Sequence, residues 1–157
     1  MRDPKTKVMS WSALSAWRAT QPGRVVFTNG VFDLLHPGHV DVLHGARMKG
    51  DALIVGVNSD ASVRRLKGPT RPVRGEVDRA YVLAALEAVD AVAIFDQDTP
   101  LELINSVKPD VIVKGGDYTP ETIVGAREVI GWGGEVVVIP LTPDQSTTSI
   151  IEKLRVK

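Results

Sequence analysis

Runs of β-branched and aliphatic residues recur along the chain at 25–28, 53–58, 91–95, 111–113 and 136–139, each short and almost unbroken by polar positions. A strand with one face in water alternates apolar with polar residues, whereas an unbroken run marks a strand covered on both faces, as in a parallel sheet. Five such strands are expected, with helices between them. Thr99-Pro100-Leu101-Glu102 reads as a helix start with a capping Thr, Pro at the first helical position and Glu at the third, and Thr119-Pro120 repeats its first two parts. Within 75–89, Val77, Tyr81, Ala84 and Ala88 fall at helical spacing, and Ser59 or Asp60 can cap a short helix over 61–67. A further helix is expected over 10–20, resting on the outside of the sheet through Trp11, Leu14 and Trp17. The pattern is strand and helix in alternation, and right-handed crossovers then produce an α/β fold: a doubly wound, Rossmann-like, five-stranded parallel sheet in a single domain. Residues 1–22 read as a helical appendage and 23–157 as the domain itself. The ligand site of such a sheet lies beyond the carboxyl ends of its strands.

Composition changes this picture little. At 157 residues, with 43% hydrophobic and 24% charged positions, the chain suits one ordinary globular domain. Its 19 basic residues balance 19 acidic ones, so the broad positive footprint of a nucleic-acid or anionic-membrane binder is missing. The absence of cysteine excludes disulfides, thiolate nucleophiles and zinc–thiolate sites. The N-terminus has no apolar stretch of signal-peptide length, and the most apolar later run, 81–95, is broken by Glu87 and Asp90. Cytoplasm is the expectation, with small molecules or proteins as partners.

Candidate chemistry concentrates in one stretch, FDLLHPGHVDVLHGARMKGD, which holds all 3 histidines of the chain. Pro37 suits the first position of the helix after the first strand, making His36 its cap residue and His39 its third residue. Free amides and the positive end of the helix dipole make that place an anion site, and Gly38 lets a ligand approach the backbone. The dipole should keep both imidazoles neutral, as hydrogen-bond donors to a phosphoryl oxygen rather than as bases. Two other readings of the same residues stand beside this one. Asp33, His36 and His39 can be metal ligands three apart, or a histidine can serve only as a helix cap. His44 lies inside the helix with no partner evident.

Phe27-Thr28-Asn29-Gly30 followed by Phe32-Asp33-x-x-His36-Pro37-Gly38-His39 resembles the HxGH signature of the cytidylyltransferase-like nucleotidyltransferases. Further matches follow in order: Val57-Asn58-Ser59-Asp60, Arg65-Leu66-Lys67-Gly68, Arg71-Pro72-Val73, Val113-Lys114-Gly115-Gly116-Asp117-Tyr118 and Ser146-Thr147-Thr148-Ser149-Ile150-Ile151. Over 24–153 the set is most similar to the bacterial D-glycero-β-D-manno-heptose 1-phosphate adenylyltransferases. Many bacteria carry that activity beside a sugar kinase in one longer chain, and the length here resembles the stand-alone form. Val31, and Asp144-Gln145 before Ser146, depart from the Cys and Gly-Cys of the family pattern.

The resemblance implies transfer of AMP from ATP to heptose 1-phosphate, with Mg²⁺ accompanying ATP and a homodimer as the assembly. It implies His36, His39 and the mobile Lys67 as the catalytic groups. Thr28, Asn29, Gly30, Phe32 and Gly38 would meet the nucleotide from the first strand and helix, and Lys114, Gly116, Asp117 and Tyr118 from the fourth strand. Ser146, Thr147 and Thr148 would hold the β- and γ-phosphates, with Ser149 capping the last helix through Glu152. Arg79 is expected at the nucleotide, or in a surface pair with Glu76, and Asp33, Asp60 and Lys67 at the sugar phosphate. Rival functions are a cytidylyltransferase acting on glycerol 3-phosphate, a metal-dependent hydrolase using Asp33, His36 and His39, and a non-catalytic nucleotide-binding module.

Overall fold

A computed structural model describes residues 2–140, 142–143 and 145–155. The five strands are β1 (Val25–Gly30), β2 (Ala52–Asn58), β3 (Ala91–Phe95), β4 (Val111–Gly115) and β5 (Glu135–Ile139). All pair in parallel, in the order β3-β2-β1-β4-β5. The helices are α1 (Pro4–Lys7), α2 (Trp11–Ala19), α3 (Pro37–Arg47), α4 (Asp60–Lys67), α5 (Glu76–Ala84), α6 (Leu101–Val107), α7 (Ala126–Gly131) and α8 (Thr147–Arg155). Both sheet faces are covered, which is why the strand runs are continuous. Val25 and Phe27 enter one core with Leu103, Ile104 and Ile112, while Val26 enters the other with Leu43, Leu53 and Leu83.

The chain leaves β1 toward β2 and β3, then returns across the sheet to β4 and β5, so the crossovers diverge between β1 and β4. That is the topological switch point, where a crevice opens beyond the strand ends. Hydrogen-bond register supports it: β1 pairs with β2 from Val25 to Gly30, but with β4 only at Val26 and Phe27.

Several local expectations need correction. Pro100, not Thr99, is the cap residue of α6, with no side-chain cap bond, and after Thr119 the chain makes only a 3-10 turn, Pro120–Thr122. On α5 the inward face is Arg79, Ala80, Leu83 and Ala84, whereas Val77 and Tyr81 are exposed. The apolar positions had suggested a face rotated away from the real one, because a buried arginine does not register in a hydrophobic pattern. Ser59 rather than Asp60 caps α4, its side chain accepting from the Ser62 amide at 3.0 Å.

The segment before β1 is helical, as expected, but it does more than rest outside the sheet. Leu14 is fully buried in the core that Phe27 and Leu103 share, with Trp11 and Trp17 packed against it. The Met9 amide donates to Val92 at 2.9 Å, the Trp11 indole to Ile94 at 2.9 Å and the Lys7 ammonium to Val89 at 2.7 Å. These bonds cover the outer edge of β3, which would otherwise present free backbone groups. No described helix is long and apolar enough to cross a membrane.

Candidate active site

Pro37 occupies the first turn of α3 and His36 is its cap residue in extended conformation, with no cap bond from its side chain. The imidazole of His36 is therefore free of helix duty. It stacks on His39, one turn along, with ring centroids 3.8 Å apart, and Phe32 packs against His39 at 5.1 Å. The Nδ1 atoms of both rings are buried without a hydrogen-bond partner. Buried polar atoms are ordinarily satisfied, and of the two rings only His39 has a backbone group acting on it, that of Leu34. Burial lowers the pKa of His36, and burial together with the neighbouring His36 ring brings His39 down to about 4, the Leu34 backbone offsetting only part. Both shifts favour the neutral ring near pH 7, and their cause is desolvation, with the His36 neighbour adding to it at His39, rather than the helix end that the sequence had suggested. His44 is exposed on the solvent side of α3.

A cleft of ≈ 450 Å³ opens in front of the histidines at the ends of β1 and β4. Thr28, Asn29, Gly30 and Phe32 line its floor with Gly38, and Lys67, the exposed last residue of α4, stands at its rim. Lys114 and Tyr118 enter from β4. The Lys114 ammonium is 3.4 Å from both the backbone and side-chain oxygens of Asn29 and 5.8 Å from the centre of the Tyr118 ring, bridging the two strands where their ladder has ended. Burial lowers its pKa. Ser146, Thr147 and Thr148 close the cleft at the start of α8. That start is seated on the loop before α3 and on its first turn: Thr147 donates to the Leu34 carbonyl at 3.2 Å, and a Cβ on Gly38 would lie 3.1 Å from the His36 ring and 3.2 Å from Gln145. The glycine thus serves close packing of α8 as much as ligand approach.

Other assignments change. Asp33 is buried, and its carboxylate accepts from Arg71 Nε at 2.7 Å and from the amides of Val73 and Arg74 at 2.9 Å. Burial pushes its pKa up, but these bonds outweigh that and hold it below the usual value. Asp33 therefore anchors the 71–74 loop at the wall of the cleft, and its oxygens are committed there rather than free to join the histidines around a metal. Among the described residues, no three His, Asp or Glu side chains are grouped to hold a metal ion.

Arg79, expected at the nucleotide or paired with Glu76, is fully buried at its side chain. It donates to the carbonyls of Arg74, Val31 and Asn58 and, at 2.9 Å, to the Asp60 carboxylate. With its donors spent on three carbonyls and one carboxylate, it braces the end of β2 behind the cleft, and Asp60 is its counter-ion and does not line this cleft. Glu76 instead accepts from the Asp60 amide at 2.6 Å. Gly116 is a turn residue with φ 134°, its position close under the Tyr118 ring, and Asp117 is exposed; neither lines the cleft. At α8 the capping roles reverse: the Ser146 hydroxyl accepts from the Ser149 amide at 3.0 Å, while Ser149 lies within the helix. Asp144 lies outside the described residues. Arg71, Thr142 and Gln145 line the cleft without having been singled out for a role. Arg71 sits within a quoted motif, but its partner Asp33 is 38 positions away, a pairing that local pattern cannot show.

A parallel doubly wound sheet whose switch-point cleft carries neutral imidazoles, cations and helix-start hydroxyls defines a nucleotide-binding phosphoryl-transfer domain. Residues 27–153 match the Cytidylyltransferase-like family, and the chain belongs to that family, a class of nucleotidyltransferase enzymes. It is 63% identical over 140 residues to the bifunctional protein HldE of Rhodopseudomonas palustris, covering 89% of this chain and 28% of that protein. To the bifunctional protein HldE of Acidiphilium cryptum it is 54% identical over 156 residues, covering 99% of this chain and 32% of the relative. The chain thus spans about three tenths of the length of these curated relatives. Among solved structures, the lipopolysaccharide core biosynthesis protein of Thermoplasma volcanium superposes with a TM-score of 0.61 at 28% identity, over 76% of this chain and 97% of that one.

Proposed function

We propose that the chain transfers AMP from ATP to D-glycero-β-D-manno-heptose 1-phosphate, producing ADP-heptose and pyrophosphate. The observation that carries the reading is the stacked, neutral His36–His39 pair facing a cleft lined by Lys67, Arg71 and Lys114, with no free carboxylate or activated nucleophile among the described lining residues. Such a site offers donors and cations, which is what transfer between phosphates requires. A sugar phosphate, with a second pKa of about 6, is already largely a dianion near neutrality and needs no general base. One of its oxygens attacks the α-phosphorus of ATP while the bond from that phosphorus to the bridging oxygen breaks, and the electron pair leaves with pyrophosphate. His36 and His39 donate hydrogen bonds to the phosphoryl oxygens as charge shifts onto them. Mg²⁺ would accompany the triphosphate with phosphate and water as its ligands, since the one described cleft carboxylate, Asp33, is committed to the 71–74 loop. When bound it neutralises charge on the leaving pyrophosphate.

The acceptor is proposed from the motif set, and the name of the Thermoplasma volcanium relative agrees with it. A homodimeric assembly and a cytoplasmic setting belong to the same proposal. The second activity announced in the name of the bifunctional relatives is not carried over. Incubating the purified chain alone with each nucleoside triphosphate and a panel of sugar and alcohol phosphates, while measuring pyrophosphate, tests the reading. ATP with heptose 1-phosphate should be the fastest pair. Preference for CTP or glycerol 3-phosphate would move the chain to the rival activity.

A further inference from the structure

We propose that Arg71 grips the phosphate of the acceptor and that Asp33 is the residue positioning it to do so. This rests on the adenylyl-transfer reading and assigns one of its two substrates to a place in the cleft.

The Arg71 guanidinium is fastened by one end only. Its Nε donates to the Asp33 carboxylate at 2.7 Å, while its two terminal nitrogens have no hydrogen-bond partner among the described residues, and the side chain lines the cleft. A guanidinium held to neutralise a carboxylate would present its fork to both oxygens. Here the backbone amides of Val73 and Arg74 bond the Asp33 oxygens as well, and only Nε of Arg71 joins them, so the terminal nitrogens are not spent on the acid. A planar pair of donors fixed in that way matches two oxygens of a phosphate. The Asp33 side chain is fully buried and the Arg71 side chain only 16% exposed, so the arrangement is a built feature rather than a surface ion pair.

Topology decides which phosphate. In-line displacement puts the attacking and leaving oxygens on opposite sides of the transferring phosphorus. The stretch carrying Lys67 and Arg71 follows β2, whereas α8 follows β5, and the strand order sets these on opposite sides of β1. The hydroxyls and amides at the start of α8 suit the triphosphate tail, which leaves the β2 side for the attacking phosphate. Arg71 is its rigid receptor, and Lys67, on a flexible exposed stem, adds mobile charge.

The test uses the purified chain saturated with a non-hydrolysable ATP analogue, titrated calorimetrically with heptose 1-phosphate, beside steady-state pyrophosphate release. Arg71→Gln should weaken the sugar phosphate by about 10–100-fold in Kd and KM, the range for a lost hydrogen bond to a charged group, with analogue affinity nearly unchanged. Arg71→Lys keeps a charge beside Asp33, protects folding, and should show a smaller loss in the same direction. Asp33→Asn should raise the acceptor KM more than the ATP KM, which a merely structural role would not do. Unchanged acceptor affinity in Arg71→Gln, or an equal loss of both substrates, overturns the assignment while leaving adenylyl transfer standing. A wild-type chain that releases pyrophosphate with no acceptor would instead refute adenylyl transfer, and the acceptor site with it.

Discussion

Removing one imidazole at a time separates the roles a histidine at a helix start can play. His36 makes no capping bond, so His36→Ala forfeits none of the roughly 0.5–2 kcal/mol that a side-chain cap contributes, and its melting temperature should stay close to that of the parent. What it removes is half of the stacked pair at 3.8 Å. If the pair donates to oxygens that gain charge in the transition state, the loss should be on the scale of one oxyanion donor, about 10²–10³ in kcat, or about 2.7–4 kcal/mol. ATP affinity should fall much less, because a ground-state phosphate gains less from the same bond. His39→Ala should behave alike in kcat, with some added loss of stability from its packing against Phe32. His44→Ala, exposed on the far side of α3, should stay active within a few-fold. The assay is pyrophosphate release at saturating ATP, with calorimetric ATP binding and a thermal melt for each variant. Full turnover in both His36→Ala and His39→Ala would refute the argument, and a large drop in the melting temperature of His36→Ala with normal turnover would return it to a structural role.

Three further outcomes follow from the same geometry. Because His39 titrates near 4 when folded and near 6.5 when unfolded, the unfolded chain binds more protons between those values, so His39 should cost stability as pH falls from about 6.5 to 4; an NMR midpoint for His39 at or above 6.5 would contradict this. Arg79→Met should strand the Asp60 carboxylate and three carbonyls, costing about 3–5 kcal/mol and lowering the melting temperature by roughly 6–20 °C. Lost ATP binding without a lower melting temperature would instead place Arg79 at the nucleotide. Leu14→Ala should cost about 2–5 kcal/mol in denaturant unfolding, since Leu14 is fully buried, and a negligible cost would make the first residues a true appendage.

The sequence by itself determined the five parallel strands, their chain positions and the placing of two histidines at one helix start. These are local properties: a strand buried on both faces must be apolar at successive positions, and Pro at the first turn marks a helix beginning within a residue or two. The cleft's broad membership was legible as well, since a doubly wound sheet gathers the ends of its strands at one crevice. Only the tertiary structure decided what each charged group faces. Arg79 and Asp33 had read as ligand contacts, yet folding gives one the backbone carbonyls of two loops and of the end of β2 together with Asp60, and the other the amides and guanidinium of 71–74. A charge leaves no trace of its partner in local pattern, because burial and pairing depend on segments brought together from far along the chain. Arg71 stayed unassigned for that reason, whereas Leu14 was legible as a packing residue and only the depth of its burial was not, since its neighbours Phe27 and Leu103 join it once β1 and α6 have packed.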